Sequence, residues 1–141
     1  MIRHLLCIDD EQITQMLNQV IFKRTGFCEQ VTTALNGQLA LDFFDQVTLQ
    51  NPENPNAPEL ILMDLNMPVL DGWGFLEKFT RQYLDRFPEI TIFILSSSVD
   101  PKDLDKAGQH PLVKGFVSKP MTIEAINELK KHPSLERFFQ D

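Results

Sequence analysis

The 141-residue sequence predicts an α/β domain built around a mainly parallel sheet. Short apolar runs typical of buried strands alternate along the chain with segments whose apolar residues recur at helical spacing. Turn-forming pairs such as Asn36-Gly37 and Asp71-Gly72 separate these segments. Five strands alternating with five helices give a (βα)5 order. The length matches one domain with one substantial core, so we expect residues 1–141 to form a single domain.

The first half of the chain contains two predicted βα units. A strand at residues 2–8 runs into an acidic turn, and a weaker strand is predicted at residues 30–34. Between them lies an amphipathic helix that should stop near Gly26. A second helix is predicted at residues 39–47. The apolar positions that define the first helix are Ile13, Met16, Leu17, Val20 and Ile21.

The second half begins after a predicted loop at residues 48–58, which carries three prolines and three asparagines. The third strand is predicted at residues 60–63. A third helix follows Asp71-Gly72. Residues 90–95 are the most continuously apolar run and indicate a buried central strand. The apolar positions of the third helix are Phe75, Leu76, Phe79 and Leu84.

The last two helices and the last strand complete the pattern. Asp100-Pro101 predicts the N-cap and first-turn proline of a fourth helix. Residues 115–117 form a short fifth strand. A final helix, which continues irregularly towards Phe138, is indicated by Ile123, Ile126 and Leu129.

The composition gives no support for a nucleic-acid or membrane partner. The formal net charge is −7, whereas nucleic-acid binding usually needs a basic face. No apolar run approaches the roughly 20 residues that span a bilayer. The two cysteines, Cys7 and Cys28, are isolated and lack metal-binding or disulfide spacing. Together with the absence of a signal-peptide pattern, these features predict a cytoplasmic protein.

Polar residues follow the predicted strands. Asp9 and Asp10 end the first strand, Asp64 follows the third, Ser96 the fourth and Lys119 the fifth. Residues just beyond the carboxyl ends of parallel strands gather in the crevice where ligands bind. Crowded carboxylates require neutralisation, and Mg²⁺ prefers such oxygen ligands. An aspartate held there can attack phosphorus and form an acyl phosphate.

Five motifs in register resemble the receiver domain of two-component response regulators. A further similar stretch, Ala34-Leu35-Asn36-Gly37 with Ala40-Leu41, surrounds the second strand and helix. The resemblance covers nearly the whole chain, and its strength lies in the order and spacing of the motifs. These are Cys7-Ile8-Asp9-Asp10-Glu11, Leu62-Met63-Asp64-Leu65-Asn66-Met67-Pro68, Asp71-Gly72, Leu95-Ser96-Ser97 and Ser118-Lys119-Pro120.

The resemblance implies a fold and a metal site. The fold is a flavodoxin-like three-layer sandwich with a parallel sheet of strand order 2-1-3-4-5. Asp64 is implied as the phosphoacceptor and nucleophile. Asp10 is the main metal-binding acid and Asp9 assists it. Asp64 and the backbone carbonyl of Asn66 complete the implied set of Mg²⁺ ligands.

The remaining site residues are also implied by the resemblance. Lys119 pairs with the phosphoryl group, and Pro120 follows a cis peptide bond. Ser96 is the switch hydroxyl, and Ser97 is the small residue that leaves room for a phosphodonor. Phe116 is the aromatic switch residue, although an aromatic side chain in a short strand is usually part of the core.

The function implied is that of a stand-alone signalling switch. A partner histidine kinase or phosphotransfer protein phosphorylates Asp64 with Mg²⁺ as cofactor, and the surface at residues 100–131 changes its binding to an unknown downstream protein. We expect neither an output domain nor an enzyme activity beyond the domain's own phosphoryl transfer and dephosphorylation. The resemblance leaves open whether the protein is a monomer or a phosphorylation-dependent homodimer.

Two alternatives use the same residues. Phosphohydrolases of the haloacid dehalogenase type also form an aspartyl phosphate with Mg²⁺, but they usually carry a second aspartate where this chain has Asn66. A degenerate receiver acting as a constitutive binding module is the other alternative. The intact set of Asp9, Asp10, Asp64, Ser96 and Lys119 argues against it.

Overall fold

A five-stranded parallel sheet forms the centre of the molecule, and helices cover both of its faces. The computed structural model describes residues 1–51, 56–97 and 100–140. A short 3-10 helix (Glu136–Phe138) follows the last helix. In chain order the elements are β1 (Ile2–Ile8), α1 (Gln12–Thr25), β2 (Cys28–Ala34), α2 (Gly37–Gln50), β3 (Leu60–Met63), α3 (Gly72–Gln82), β4 (Thr91–Ser96), α4 (Pro101–Gln109), β5 (Val113–Ser118) and α5 (Ile123–Lys131).

The strands lie in the order β2-β1-β3-β4-β5, and every neighbouring pair is parallel. The predicted α/β class, the (βα)5 alternation and the strand order are therefore confirmed. β3 has the predicted bounds, whereas β2 begins two residues earlier than its apolar pattern indicated. β2 is an edge strand with several exposed polar residues, so its sequence gives only a weak strand signal.

Two apolar cores fill the spaces between the sheet and the helices. On one face, α2, α3 and α4 pack against the sheet, and Phe44 of α2, besides its neighbour Phe43, contacts four aromatic rings of residues 75–87 at centroid distances of 5.1–6.5 Å. On the other face, α1 and α5 enclose a second core that includes Phe22 and Ile126. These two cores make the domain a three-layer sandwich. The four rings around Phe44 belong to Phe75, Phe79, Tyr83 and Phe87.

The orientation of α1 differs from what its apolar pattern suggests. Its apolar residues Ile13, Met16, Leu17 and Val20 are exposed. The side of the helix that faces the sheet carries Gln15, Asn18 and Phe22, all of which are buried. An amphipathic pattern identifies two faces of a helix but does not say what covers each of them. The helix was thus correctly predicted, but four of its five predicted apolar positions point to solvent, and only Ile21 packs partly against the second core.

The loop predicted at residues 48–58 is shorter than expected, because α2 continues through Gln50. Residues 52–55 of that loop lie outside the described part of the chain. α3 ends at Gln82, so Leu84 lies in the turn after the helix. The predicted start of α4 is correct, since the Asp100 side chain accepts a hydrogen bond from the Lys102 amide at 2.9 Å.

Both cysteines are free thiols, as their spacing predicted. Cys7 is buried in β1, and burial raises the pKa of its thiol to about 12. Burial likewise raises the pKa of the Cys28 thiol to about 11. Both side chains therefore remain protonated near neutral pH and behave as small apolar groups. Within residues 1–51, 56–97 and 100–140, no helix has the length and apolar character required to cross a bilayer.

His4 makes the stability of the fold depend on pH. Its ring is buried in β1, where it contacts Thr32 Oγ1 at 2.7 Å and meets the ring of Phe43 edge-on. Burial lowers the pKa of His4 below its ordinary value of 6.5. The unfolded chain then binds a proton more readily than the folded chain does. The contribution of His4 to stability is complete above about pH 6.5 and is lost as the pH falls below that value.

We therefore expect the free energy of unfolding to decrease as the pH falls below about 6.5, and to decrease less in a His4→Gln variant. Glutamine can keep a hydrogen bond to Thr32 but does not titrate. Urea unfolding at a series of pH values measures both slopes. Equal slopes for the variant and the wild-type protein would show that His4 is not the titrating group.

Candidate functional site

The carboxyl ends of four parallel strands place polar residues at one edge of the sheet. Asp9 follows β1, Asp64 follows β3, Ser96 is the last residue of β4 and Lys119 follows β5. The register between β1 and β3 brings Asp9 and Asp64 side by side. The structure thus assembles, in one crevice, residues that are up to 110 positions apart in the sequence.

Three carboxylates converge in this crevice. Asp9, Asp10 and Asp64 each offer one oxygen, and these oxygens lie within 4.8 Å of one another. Asp9 and Asp64 are buried, whereas Asp10 is exposed at the mouth of the site. Closely spaced carboxylates repel one another, and burial strengthens that repulsion. The cluster therefore needs positive charge close by, and its donor atoms are of the kind that Mg²⁺ prefers.

Lys119 supplies part of that charge. Its Nζ lies 2.5 Å from Asp9 Oδ2 and 2.8 Å from Asp64 Oδ2, and its side chain is only 9% exposed. Burial alone would lower the pKa of Lys119, but hydrogen bonds and charge attraction from Asp64 and Asp9 outweigh burial and raise the pKa. The ammonium group therefore stays protonated and joins β5 to the ends of β1 and β3.

Backbone contacts hold the loops of the site in place. The Asp64 amide donates to the carbonyl of Ile8 at 2.9 Å, and the Lys119 amide donates to the carbonyl of Ser96 at 2.9 Å. Gly72, at the start of α3, donates to the carbonyl of Leu65 at 2.9 Å. A Cβ atom at position 72 would lie 2.6 Å from the Asp64 carbonyl oxygen, so only glycine fits there without a shift.

Gln15 of α1 is a positioning residue that the sequence analysis missed. Its Nε2 lies 2.9 Å from the carbonyl oxygen of Cys7 and 3.2 Å from those of Asp9 and Ala34. This amide group thereby ties α1 to the ends of β1 and β2, beside the acidic turn. Gln15, Asn18 and Phe22 share one helix face, but only Phe22 is apolar, so no pattern in the sequence marked this face as the sheet-facing side of α1.

The hydroxyl and amide residues expected at the site occupy different environments. Ser96 is buried at the end of β4, while Ser97 is exposed just beyond it. Ser98 lies outside the described residues. Asn66 is exposed, and its amide N lies 3.4 Å from Asp64 Oδ1. Ser96, Ser97 and Asn66 therefore all lie at the same edge of the sheet as Asp64.

The two remaining expected residues lie on and after β5. The peptide bond between Lys119 and Pro120 is cis. Phe116 is partly buried and packs against the core formed by α2, α3 and α4. It is therefore neither a fully buried core residue nor a freely exposed one.

Trp73 connects α3 to α4. Its indole Nε1 donates to Asp103 Oδ1 at 3.2 Å, and Lys106 Nζ lies 4.5 Å from the centre of its ring. Trp73 directly follows Gly72, so the contact between Trp73 and Asp103 lies next to the loop that carries Asp64. No sequence pattern predicted this contact, because Trp73 and Asp103 are 30 residues apart.

The fold and the site together define a class: α/β domains with an acidic crevice and a buried lysine at the carboxyl ends of the strands. A family model described as the response regulator receiver domain matches residues 5–131. The chain therefore belongs to the receiver domain family of two-component signalling. This family is a signalling phosphoacceptor family.

Several relatives and solved structures are similar to the chain. A two-component response regulator from Oryza sativa subsp. japonica is 32% identical over 130 residues, covering 89% of each protein. The crystal structure of a two-component response regulator from Cytophaga hutchinsonii is 31% identical, with a TM-score of 0.80, and covers 91% of this chain and 93% of that one.

The relatives differ in how much of their length the chain covers. A probable methanogenesis regulatory protein from Methanothrix harundinacea is 26% identical, over 91% of this chain and 81% of the relative. A two-component response regulator from Arabidopsis thaliana is 28% identical over 90% of this chain. In that case the chain spans only 20% of the relative's length.

Gln15→Leu should lower the free energy of unfolding by about 1–3 kcal/mol, because the variant leaves carbonyl groups at the ends of β1 and β2 without the amide that contacts them. Urea unfolding measures the change. Gln19→Leu is a matched control, since Gln19 is exposed on the same helix. Equal stability of the Gln15 variant and this control would contradict the role given to Gln15.

Val69→Gly should raise the free energy of unfolding by about 0.5–1 kcal/mol. Val69 lies in the loop between β3 and α3 with φ at +69°, a conformation that disfavours a β-branched residue by about 1–2 kcal/mol. Its side chain is exposed, so glycine removes little packing. Val69→Ala, which keeps Cβ, serves as the control. A glycine variant no more stable than the alanine variant in urea unfolding would argue against this strain.

Proposed function

We propose that this receiver domain accepts a phosphoryl group on Asp64, in a Mg²⁺-dependent reaction, from a histidine kinase or phosphotransfer protein. Phosphorylation then changes its binding to a downstream protein. The observation that carries this proposal is the contact of one buried ammonium group with both Asp9 and Asp64, beside the exposed carboxylate of Asp10. That arrangement provides a nucleophile, a cation for phosphoryl oxygens and acids for a metal ion.

The transfer forms one bond and breaks another. A carboxylate oxygen of Asp64 bonds to phosphorus as the bond between phosphorus and the donor nitrogen breaks. The donor imidazole keeps the electron pair of the broken bond and takes up a proton from solvent. Lys119 is positioned to interact with the phosphoryl oxygens as charge develops on them. Lys119 Nζ and the Asn66 amide contact the two carboxylate oxygens of Asp64 and so orient the nucleophile.

The acids of the site fit a hard divalent cation. Asp10 would be its main protein ligand, together with Asp9, Asp64 and the backbone carbonyl of Asn66. Three carboxylates and one ammonium group leave two negative charges, which one divalent cation balances. When bound, Mg²⁺ would offset the charge of the phosphoryl group beside Asp64. Asp10 is exposed, so a cation and a donor can both approach from solvent.

The response is proposed to involve Ser96, Phe116 and α4. The Ser96 hydroxyl moves towards the phosphoryl group, and Phe116 repacks against the core. Ser97, next to Ser96, leaves space for the donor. Phe116 is partly buried at the edge of the core, which leaves one side of its ring free of packing and able to accept a second position. The surface of α4, β5 and α5 would then differ between the two states.

Incubation with acetyl phosphate and Mg²⁺ should add one phosphoryl group to the protein, and Asp64→Asn should abolish this gain while leaving the fold intact. An amide nitrogen or oxygen is a far weaker nucleophile than a carboxylate, which is the physical reason for the loss. Intact-mass measurement gives the result directly. Asp85→Asn is a matched control, since it makes the same chemical change at an exposed position after α3.

Stoichiometric labelling of Asp64→Asn would contradict the assignment of the phosphoacceptor. Multiple turnovers with small phosphate esters would favour a phosphohydrolase instead. Absence of both labelling and Mg²⁺ binding in the folded wild-type protein would favour a constitutive binding module.

A further inference from the structure

Two adjoining cavities lie at the amino ends of the strands, at the edge of the sheet opposite the acidic crevice. Their volumes are about 340 Å³ and about 410 Å³, and they share Pro88, Glu89, Ile90 and Arg137. Ligand sites usually measure roughly 300–1,000 Å³, so each cavity alone reaches that range. We call the two together the amino-end groove. It is lined by Arg3, Lys114, Ser134 and residues 57–59, 86–91 and 137–138.

The parallel sheet holds the walls of the amino-end groove in place. Arg3 lies in β1, Glu59 directly precedes β3, and Lys114 lies in β5. The Glu59 amide donates to the carbonyl of His4 at 2.8 Å, and the amide of Thr91, the first residue of β4, donates to the carbonyl of Glu59 at 3.1 Å. The groove is therefore a preformed part of the fold.

The floor of the amino-end groove is apolar, because the two cores of the domain meet there. Phe87 is buried in the core formed by α2, α3 and α4, and Ala57 and Ile90 are partly buried against it. Phe138 packs against the other core and closes the groove from that side. An apolar floor below a polar rim suits an apolar side chain of a ligand.

The rim of the amino-end groove carries more positive than negative charge. Glu59 and Glu89 are its two carboxylates, and Glu59 already accepts the Arg3 amide at 2.6 Å and lies 3.8 Å from the Arg3 guanidinium. The whole chain has a net charge of −7, so this rim is a positive region on an acidic protein. The four cations, all exposed, are Arg3, Arg86, Lys114 and Arg137.

Arg137 is held in an orientation that suits an incoming carboxylate. One guanidinium nitrogen donates to the carbonyl of Ser134 at 2.8 Å, and the guanidinium carbon lies 4.3 Å from the centre of the Phe138 ring. The other N–H groups of a guanidinium can form a bidentate pair with a carboxylate. Arg3, Arg137 and Phe138 all lie outside residues 5–131, which match the receiver domain. The groove therefore depends on parts of this chain that the family model does not include.

We propose that the amino-end groove binds an extended acidic segment of another protein, in which acidic and apolar residues alternate. Two cavities that share one wall fit an extended chain, the floor accepts its apolar side chains, and the cations of the rim pair with its carboxylates. The acidic remainder of the domain repels such a segment, so the charge distribution directs it to this groove. The contact lies at the edge opposite Asp64 and requires neither Mg²⁺ nor a phosphodonor.

Nuclear magnetic resonance of the full ¹⁵N-labelled chain tests this proposal with a defined probe. The probe is a six-residue peptide of alternating aspartate and leucine with blocked termini, which spans about 20 Å when extended. At an ionic strength of about 0.15 M it should bind with a dissociation constant on the order of 0.1–1 mM. Amide shifts should change at residues 57–59, 86–91 and 137–138, and should stay constant around Asp9 and Asp64.

A charge reversal within the groove should weaken binding of the peptide. Arg137→Glu should raise the dissociation constant on the order of tenfold, because it replaces the oriented guanidinium by a carboxylate. Lys114→Glu should raise it about threefold, since an exposed point charge contributes less. Lys102→Glu is the matched control. It makes the same change of net charge at an exposed position at the start of α4, by the opposite edge of the sheet.

A neutralisation in the groove should instead strengthen binding, which a damaged fold would not do. Glu89 is exposed and lines both cavities, so its carboxylate repels an acidic peptide. Glu89→Gln should lower the dissociation constant about two- to threefold. Glu124→Gln, at an exposed position of α5, makes the same chemical change outside the groove and should leave the constant unchanged.

Four results would each overturn the proposal. The first is the absence of shifts in the groove up to about 5 mM peptide. The second is equal weakening by Arg137→Glu and Lys102→Glu, and the third is equal binding of a peptide with serine in place of leucine, since both would indicate attraction by charge alone. The fourth is a set of groove shifts that grow with protein concentration without peptide, which would assign the groove to a second copy of this chain.

Discussion

The ion pairs of Lys119 with Asp9 and Asp64 are the interaction on which the rest of the site depends. They join the carboxyl ends of β1, β3 and β5 through one cation that lies between two buried carboxylates. Removing one partner of a buried ion pair usually costs about 3–5 kcal/mol, because the other charge stays buried and unpaired. The same contacts hold the Asp64 carboxylate beside a positive charge. The stability of the crevice and the phosphoryl chemistry that we propose for it therefore depend on the same contacts.

The need to hold the acidic turn also explains the unusual orientation of α1. Gln15 faces the sheet because its amide contacts the carbonyl oxygens of Cys7, Asp9 and Ala34, where β1 and β2 end. A polar residue at the centre of the inward face turns the apolar positions of the helix outward. The exposed apolar residues of α1 and the fixed acidic turn are thus two consequences of one packing arrangement.

Most of the fold and of the candidate site could be predicted from the sequence. Continuous apolar runs such as Leu60–Met63 identified the central strands, and the residues just after them identified the crevice, because parallel topology determines where strand ends meet. Periodicity was unable to say which face of α1 is buried, since that depends on the carbonyl groups opposite Gln15. The contact of Trp73 with Asp103 was equally unpredictable. It joins two helices whose spacing is set only by the complete core.

The most direct measurement is isothermal titration calorimetry with beryllofluoride, a tetrahedral mimic of the phosphoryl group, with and without Mg²⁺. The wild-type protein should bind one equivalent only when Mg²⁺ is present. Without Mg²⁺ the three carboxylates repel the anion, and Lys119 remains paired with Asp9 and Asp64. Lys119→Met should bind at least about tenfold more weakly, since it lacks the ammonium group that contacts the phosphoryl oxygens. Binding without Mg²⁺, or equal binding by the folded Lys119→Met variant, would contradict this account of the site.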